Sequence, residues 1–239
     1  MMIEIDRRKI LVFDIEVAAH DFETFFDEET KTYLLQYAKD DDMRVRMIEE
    51  LVFNSFTSKL VAVSMWDVND EKGCVLINCD KDPVLLPERD SMTYVQGTEK
   101  EIVEQFWKII AAKNYNLFVT FNGREFDCPY MMLKSFEMGV RPTFNFMQGS
   151  DFTFRDYHID LLKEFTFNRH SPHGARRKFS LDFYCKRLGV KSPKDGGVKG
   201  DKVTELYNSG EYKKIADYAA EDAIAEAELF KIWNQFLNI

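Results

Sequence analysis

The chain has 239 residues, 45% hydrophobic and 31% charged, which is long and apolar enough to bury a sizeable core and argues against disorder as the default. No apolar run reaches the roughly 18 residues of a membrane span, and the opening MMIEIDRRKILVFD lacks the pattern of a signal peptide, so a cytoplasmic protein without membrane contact is expected. A net charge of −9 argues against a polyanionic partner, yet residues 163–202 carry eleven basic residues against four acidic ones, while residues 21–50 are acidic.

In chain order, residues 9–15 (KILVFDI) predict a buried strand ending in carboxylates. Residues 18–57 are far more than a hairpin needs. The spacing of Tyr33, Leu34 and Tyr37, then of Met43, Met47 and Leu51, predicts one or two helices there. Residues 59–67 and 73–79 predict two further strands joined by a turn at 68–72. Thr98 and Glu101 form a capping box for a helix to about Lys113, with Ile102, Val103, Phe106, Ile109 and Ile110 at helical spacing. A strand at 116–121, a helix from near Pro129 to Met138, a short strand at 157–161, and helices near 179–188, 201–208 and 211–236 complete the chain. The expected fold is α/β: a mixed five-stranded sheet flanked by helices, with a helical insertion (18–57) between strands 1 and 2, in a single domain over 1–239. The 21 phenylalanines are read chiefly as core, and the four cysteines, with no C-x-x-C pair, as buried thiols rather than zinc ligands.

Three clusters carry the chemistry. Asp14 and Glu16 sit two apart at the end of the first strand and share a face, where two carboxylates repel unless a cation lies between them. Asp127 follows an apolar strand and an Asn-Gly turn, at the carboxyl edge where open α/β sheets place their sites; a helix-capping role competes with a ligand role. Tyr218 and Asp222 lie four apart on the last helix, with Ala219, Ala220, Ala223 and Ala225 allowing close packing and Asp217 and Glu221 turned toward the surface. Taken alone, the first cluster also fits ordinary surface acids, the second a helix cap and the third a mixed polar face on a surface helix. Together, four carboxylates from two strand ends and a helix can converge on two hard divalent cations, Mg²⁺ or Mn²⁺. A tyrosine, with an ordinary pKa of about 10, suits orienting the attacking water better than deprotonating it.

FDIE, FNGREFD and YAAED resemble the three motifs of the DEDD exonuclease superfamily, which has the ribonuclease-H-like fold. Tyr218 makes the chain similar to the DEDDy branch, which includes the proofreading domain of family B DNA polymerases and RNase D. The histidine branch would need His where Asp217 stands. HIDLL at 158–162, FSLDFYCKRLGV at 179–190 and GGVKGDKV at 196–203 resemble stand-alone exonucleases related to the family B proofreading domain. The resemblance implies Asp14, Glu16, Asp127 and Asp222 as metal ligands, Tyr218 beside the water, and Asn122 and Phe126 as groups that support the site or touch the terminal nucleotide. Val17 departs from it, standing where many relatives carry a hydroxyl residue.

The resulting expectation is a metal-dependent 3′→5′ exonuclease on single-stranded nucleic acid with a free 3′ end, DNA favoured, releasing nucleoside 5′-monophosphates. A replication or repair protein is the expected partner class. An exoribonuclease of the same branch and an inactive nucleic-acid-binding module are the alternatives. Arg176, Arg177 and Lys178, in a loop before a helix, are expected to contact phosphate. Asp160 is read as a helix cap in preference to a group supporting the site. No role is assigned to the insertion.

Overall fold

The first strand, β1 (Ile10–Ala19), has neighbours on both sides, and its apolar half, Ile10–Phe13, is at most 1% exposed. The computed structural model describes residues 3–79, 86–87, 89–149, 153–193 and 200–239. After β1 come α1 (Phe22–Phe25), α2 (Glu28–Leu34), α3 (Asp41–Glu50), a 3-10 turn at Leu51–Phe53, β2 (Ser58–Asp67), β3 (Lys72–Asn78) and β4 (Met92–Gly97). Then follow α4 (Glu99–Lys113), β5 (Leu117–Thr120), α5 (Asp127–Glu137), β6 (His158–Asp160), α6 (Leu161–Phe165), α7 (Leu181–Leu188), α8 (Val203–Asn208) and α9 (Tyr212–Phe236).

The sheet order is β4-β3-β2-β1-β5-β6. β2 runs antiparallel to β1 and β3, whereas β5 is parallel to β1 and β6, and β4 is parallel to β3. The sheet is therefore mixed, as expected, but has six strands among the described residues where five are expected. The added strand is β4, paired from Gly73↔Met92 to Asn78↔Gly97. Among its residues only Met92 is buried, so this edge strand lacks the apolar run by which the buried strands announce themselves. It also lies parallel to its neighbour, so no hairpin turn marks it.

Side-chain alternation along β1 divides the core into two layers. Ile10 and Val12 pack with Ile215, Ala219, Ala220, Ala223 and Phe230 of α9. Leu11, Phe13 and Ile15 pack with α4 and α5, where Phe13, Phe106, Phe118 and Phe146 form a cluster of rings 4.9–6.4 Å apart. Asp14 and Glu16 share parity with Ile10 and Val12, so they face α9. The close alanine face is thus as read and the core is rich in phenylalanine, but among the described residues as many phenylalanines are exposed (Phe25, Phe53, Phe56, Phe136, Phe167, Phe183 and Phe236) as are buried.

The insertion leaves the sheet at Ala19 and returns at Ser58, its register partner. It contains α2 and α3, as expected, with the single turn α1 in addition. Its acidic run has a local cause: Asp40 caps α3 by accepting the Met43 amide at 2.7 Å, and Asp41 and Asp42 lie in the first turn, where the helix dipole favours negative charge. The capping box of α4 is present, with Thr98 and Glu101 bonded reciprocally. Among the described residues no helix is long and apolar enough to cross a membrane, and Cys79, Cys128 and Cys185 are buried free thiols, with Cys74 half-buried.

Candidate metal centre

Three chain segments meet at the carboxyl edge of β1 and β5. The first is the end of β1, where the register with β2 shifts between Glu16 and Val17, just past the carboxylate pair. The second is the turn after β5. Asn122 takes a left-handed backbone (φ +67°), which asparagine tolerates better than most residues. At Gly123 an added Cβ would stand 2.4 Å from Thr120 Oγ1, so the turn closes only without a side chain there. That tight turn delivers Asp127 as the first residue of α5. The third segment is α9, which presents Tyr218 and Asp222 one turn apart.

Asp14, Glu16 and Asp222 each offer a carboxylate oxygen, all within 4.8 Å of one another. Asp127 lies outside this tight trio but lines the same cavity, of about 270 Å³, as do Tyr218, Asn122 and Phe126. Its Oδ1 accepts the Ile15 amide at 3.0 Å, so its carboxylate is tied to β1 between the two acids of that strand. The capping alternative does not hold: the residue before α5 is Phe126, and no side chain caps that helix.

Burial raises the proton affinity of Asp14, Glu16 and Asp127. The Asp14 carboxyl is pushed well above the usual range by desolvation first, then by the charges of Asp127, Glu226, Glu16 and Asp222. Glu16 is raised by desolvation, then by Asp222 and Asp127. Asp127 rises to about 7, chiefly through desolvation, with hydrogen bonds from its own backbone and Ile15 opposing the shift. The Tyr218 hydroxyl is raised by burial and then by Glu16, Asp222 and Asp14, so the phenol keeps its proton at neutral pH. It can orient a water molecule and does not supply a base.

Asp160 does more than the expected capping. Its Oδ1 accepts the Leu162 and Lys163 amides of α6, and also the Asn122 amide at 3.0 Å, while Oδ2 accepts the Arg124 amide at 3.0 Å. One carboxylate thus caps a helix and holds the turn that delivers Asp127. Arg124 is committed elsewhere, donating to the carbonyls of Phe146, Gln148 and Gly149.

The expected phosphate contacts separate. Lys178 donates to Asn122 Oδ1 at 3.4 Å and so stands at the rim of the site. Arg176 and Arg177 are exposed on the preceding loop and do not line the cavity; the Arg177 guanidinium sits 5.0 Å from the centre of the Phe179 ring. Other basic residues of this segment are spent on ion pairs, Lys163 with Glu125, Lys191 with Glu221 and Lys202 with Glu205. Lys194 and Lys199, with the first half of the GGVKGDKV stretch, lie outside the described residues.

Two features escape a reading by motif. Glu226, 1% exposed, lines the same cavity, and its signal in the sequence is the continuation of the Tyr218–Asp222 spacing by a further four residues. The insertion, left without a role, walls a neighbouring cavity of about 760 Å³ that reaches Glu16, with Phe53 edge-on to Phe126 at 5.9 Å.

A family model described as a predicted 3′-5′ exonuclease related to the exonuclease domain of PolB matches residues 55–235. The chain belongs to this family. The match includes Asp127, Tyr218 and Asp222 and begins beyond Asp14 and Glu16. Over longer spans the chain is 24% identical to a DNA polymerase of Thermococcus sp. (strain GE8), covering 95% of this chain and 11% of the polymerase. It is 25% identical to a DNA polymerase of Thermococcus gorgonarius, covering 93% and 24%. It therefore spans a quarter or less of these relatives. The fold is similar to that of the family B DNA polymerase from Pyrobaculum calidifontis, with a TM-score of 0.59 at 15% identity over 95% of this chain and 24% of the polymerase. The sheet and its flanking helices match the ribonuclease-H-like fold of such exonuclease domains.

Proposed function

We propose that the whole chain, as a single domain, is a DEDDy 3′→5′ exonuclease that removes nucleoside 5′-monophosphates from single-stranded DNA. The observation that carries this reading is the convergence of Asp14, Glu16 and Asp222 within 4.8 Å, with Tyr218 one helical turn from Asp222. The donor set fits the implied cofactor: carboxylate oxygens suit hard divalent cations, and acids crowded out of water demand positive charge. Asp14, Glu16, Asp127 and Asp222 would hold two such ions, Mg²⁺ or Mn²⁺. Bound there, the ions supply Lewis-acid stabilisation to both the attacking and the leaving oxygen of an in-line displacement at phosphorus.

The chain's own groups do the rest. Asp127 accepts the Ile15 amide and retains acceptor capacity for the site, because a carboxylate has about four acceptor positions. Tyr218 holds its phenolic proton and orients the attacking water. The cleft between the insertion and β1, bounded by Phe53, Phe126 and Val17, receives the 3′-terminal bases against aromatic faces. Lys178 and the exposed Arg176 and Arg177 follow the phosphate backbone leading to it. The acidic centre and its basic flank thus divide the work, since bound cations reverse the local charge. A replication or repair protein is the partner class in keeping with relatives that are DNA polymerases.

The test is incubation with 5′-labelled single-stranded DNA and RNA of one sequence, with Mg²⁺, Mn²⁺ or EDTA, beside Asp14→Ala. A ladder shortening from the 3′ end with metal, faster on DNA and lost in the variant, is the expected result. Retained cleavage in Asp14→Ala would overturn the site, and faster cleavage of RNA would make the enzyme an exoribonuclease.

A further inference from the structure

Four carboxylates account for the proposed metal centre, yet a fifth points into it. Glu226 follows Asp222 by four residues on α9, so Tyr218, Asp222 and Glu226 succeed one another along one helix face. It is 1% exposed and lines the cavity shared by Asp14, Asp127 and Asp222. The Phe121 backbone amide is directed at its carboxylate, but Oε2 has no hydrogen-bond partner among the described residues.

A carboxylate left this way in a protein interior is costly unless something compensates it. Buried acids outside the centre are compensated by the protein itself. Asp160 accepts four backbone amides, and Glu164, although its Oε1 also has no hydrogen-bond partner among the described residues, pairs through Oε2 with Arg155 at 2.9 Å. Glu226 has no ion pair among the described residues, and the charges acting on it are those of Asp127, Asp222 and Asp160, all negative. Its closeness to the centre is also seen from the other side, since Glu226 acts on Asp14 more strongly than Glu16 or Asp222 does. What this geometry lacks is a cation on the cavity side.

We infer that Glu226 is a fifth carboxylate of the divalent-cation site, contributing an oxygen to an ion held in the cavity from the α9 side. The inference rests on the metal centre proposed above. A purely structural Glu226 would serve only as acceptor for the Phe121 amide, a task that glutamine performs equally well. Charge removal therefore separates the two roles.

The experiment is calorimetric titration of the full chain with MnCl₂ and MgCl₂ for wild type, Glu226→Gln, Glu226→Thr and Asp14→Ala, with thermal melts of each protein with and without Mn²⁺. Glu226→Gln is expected to weaken ion binding about tenfold or more. Its Tm without metal should stay level or rise, and its Mn²⁺-induced rise in Tm should shrink. Glu226→Thr reads out the same loss with a smaller side chain if the glutamine variant does not fold. Unchanged isotherms in the Glu226 variants, beside lost binding in Asp14→Ala, overturn the role of Glu226 and leave the metal centre standing. A wild-type protein that takes up neither ion overturns the metal centre itself, and Glu226 with it.

Discussion

Asp160 and Asp127 lie at the same edge of the sheet, are 0% and 3% exposed, and have opposite surroundings. Four backbone amides converge on Asp160, which ties β6, α6 and the turn after β5 into one unit. Asp127 accepts one amide from another segment, that of Ile15, and otherwise faces a cavity lined by Asp14, Glu16, Asp222 and Glu226. Burial raises both carboxyls, and backbone amides oppose the shift at both. The neighbouring charge that acts on Asp160 is that of Lys163, which lowers it, whereas those that act on Asp127 are Asp160 and then Asp222, which raise it. Buried carboxylates thus fall into two kinds. Those satisfied by the backbone hold the fold, and those surrounded by other acids store repulsion that a cation can relieve.

Substitution should separate the two kinds in sign as well as size. Asp160→Ala deprives four amides of their acceptor and removes the cap of α6, so it should destabilise the protein by about 3 kcal/mol or more in urea unfolding. A loss within experimental error would show that water replaces Asp160 and that its amides do not distinguish it.

Asp127→Asn should act the opposite way when no divalent ion is present. The folded pKa of about 7 lies above the unfolded value of about 3.9, so the group's stabilising contribution is complete below pH ~4 and is lost as pH rises to 7. In EDTA the variant should therefore gain on wild type across that window and level off above it. The gain is about 1 kcal/mol, or roughly 2–4 °C in Tm, because the new amide donors must also find partners. A variant less stable than wild type at pH 7.5 would place Asp127 with Asp160.

The smallest effect is expected at the rim. Lys178→Ala should raise KM with kcat nearly unchanged, and flatten the logarithmic salt dependence of kcat/KM by about 0.7, the value of one phosphate contact on a single strand. An equal fall in kcat would instead make Lys178, through Asn122, part of the catalytic arrangement.

Legibility in the sequence followed the range of the interactions. Asp14 and Glu16, or Tyr218 and Asp222, declare themselves because strand and helix periods fix which neighbours share a face. The capping box at Thr98 and Glu101 is equally local. β4 was missed because its half-exposed residues carry no strong pattern and its pairing is parallel. The second task of Asp160 depends on a turn 36–38 residues away in sequence, which no spacing rule reports. Glu226 was legible in principle, one further step along a spacing already noticed. It carried no signal as an acid until burial was known, since glutamates on helices are mostly solvated.

The register pair Ala19↔Ser58 has a consequence for how the chain tolerates change in length. Residues 20–57 leave the sheet and re-enter it at partnered positions, so residues can be added to or removed from this excursion without shifting any carboxylate. α9 allows no such freedom. One residue inserted between Tyr218 and Asp222 turns everything beyond it by about 100°, carrying Asp222 and Glu226 off the face that Tyr218 occupies. The far end of that helix is held in place by Asn234, which exchanges hydrogen bonds with the backbone of Ile3. Variation in length belongs to the wall of the cleft, and constancy to the helix that carries its acids.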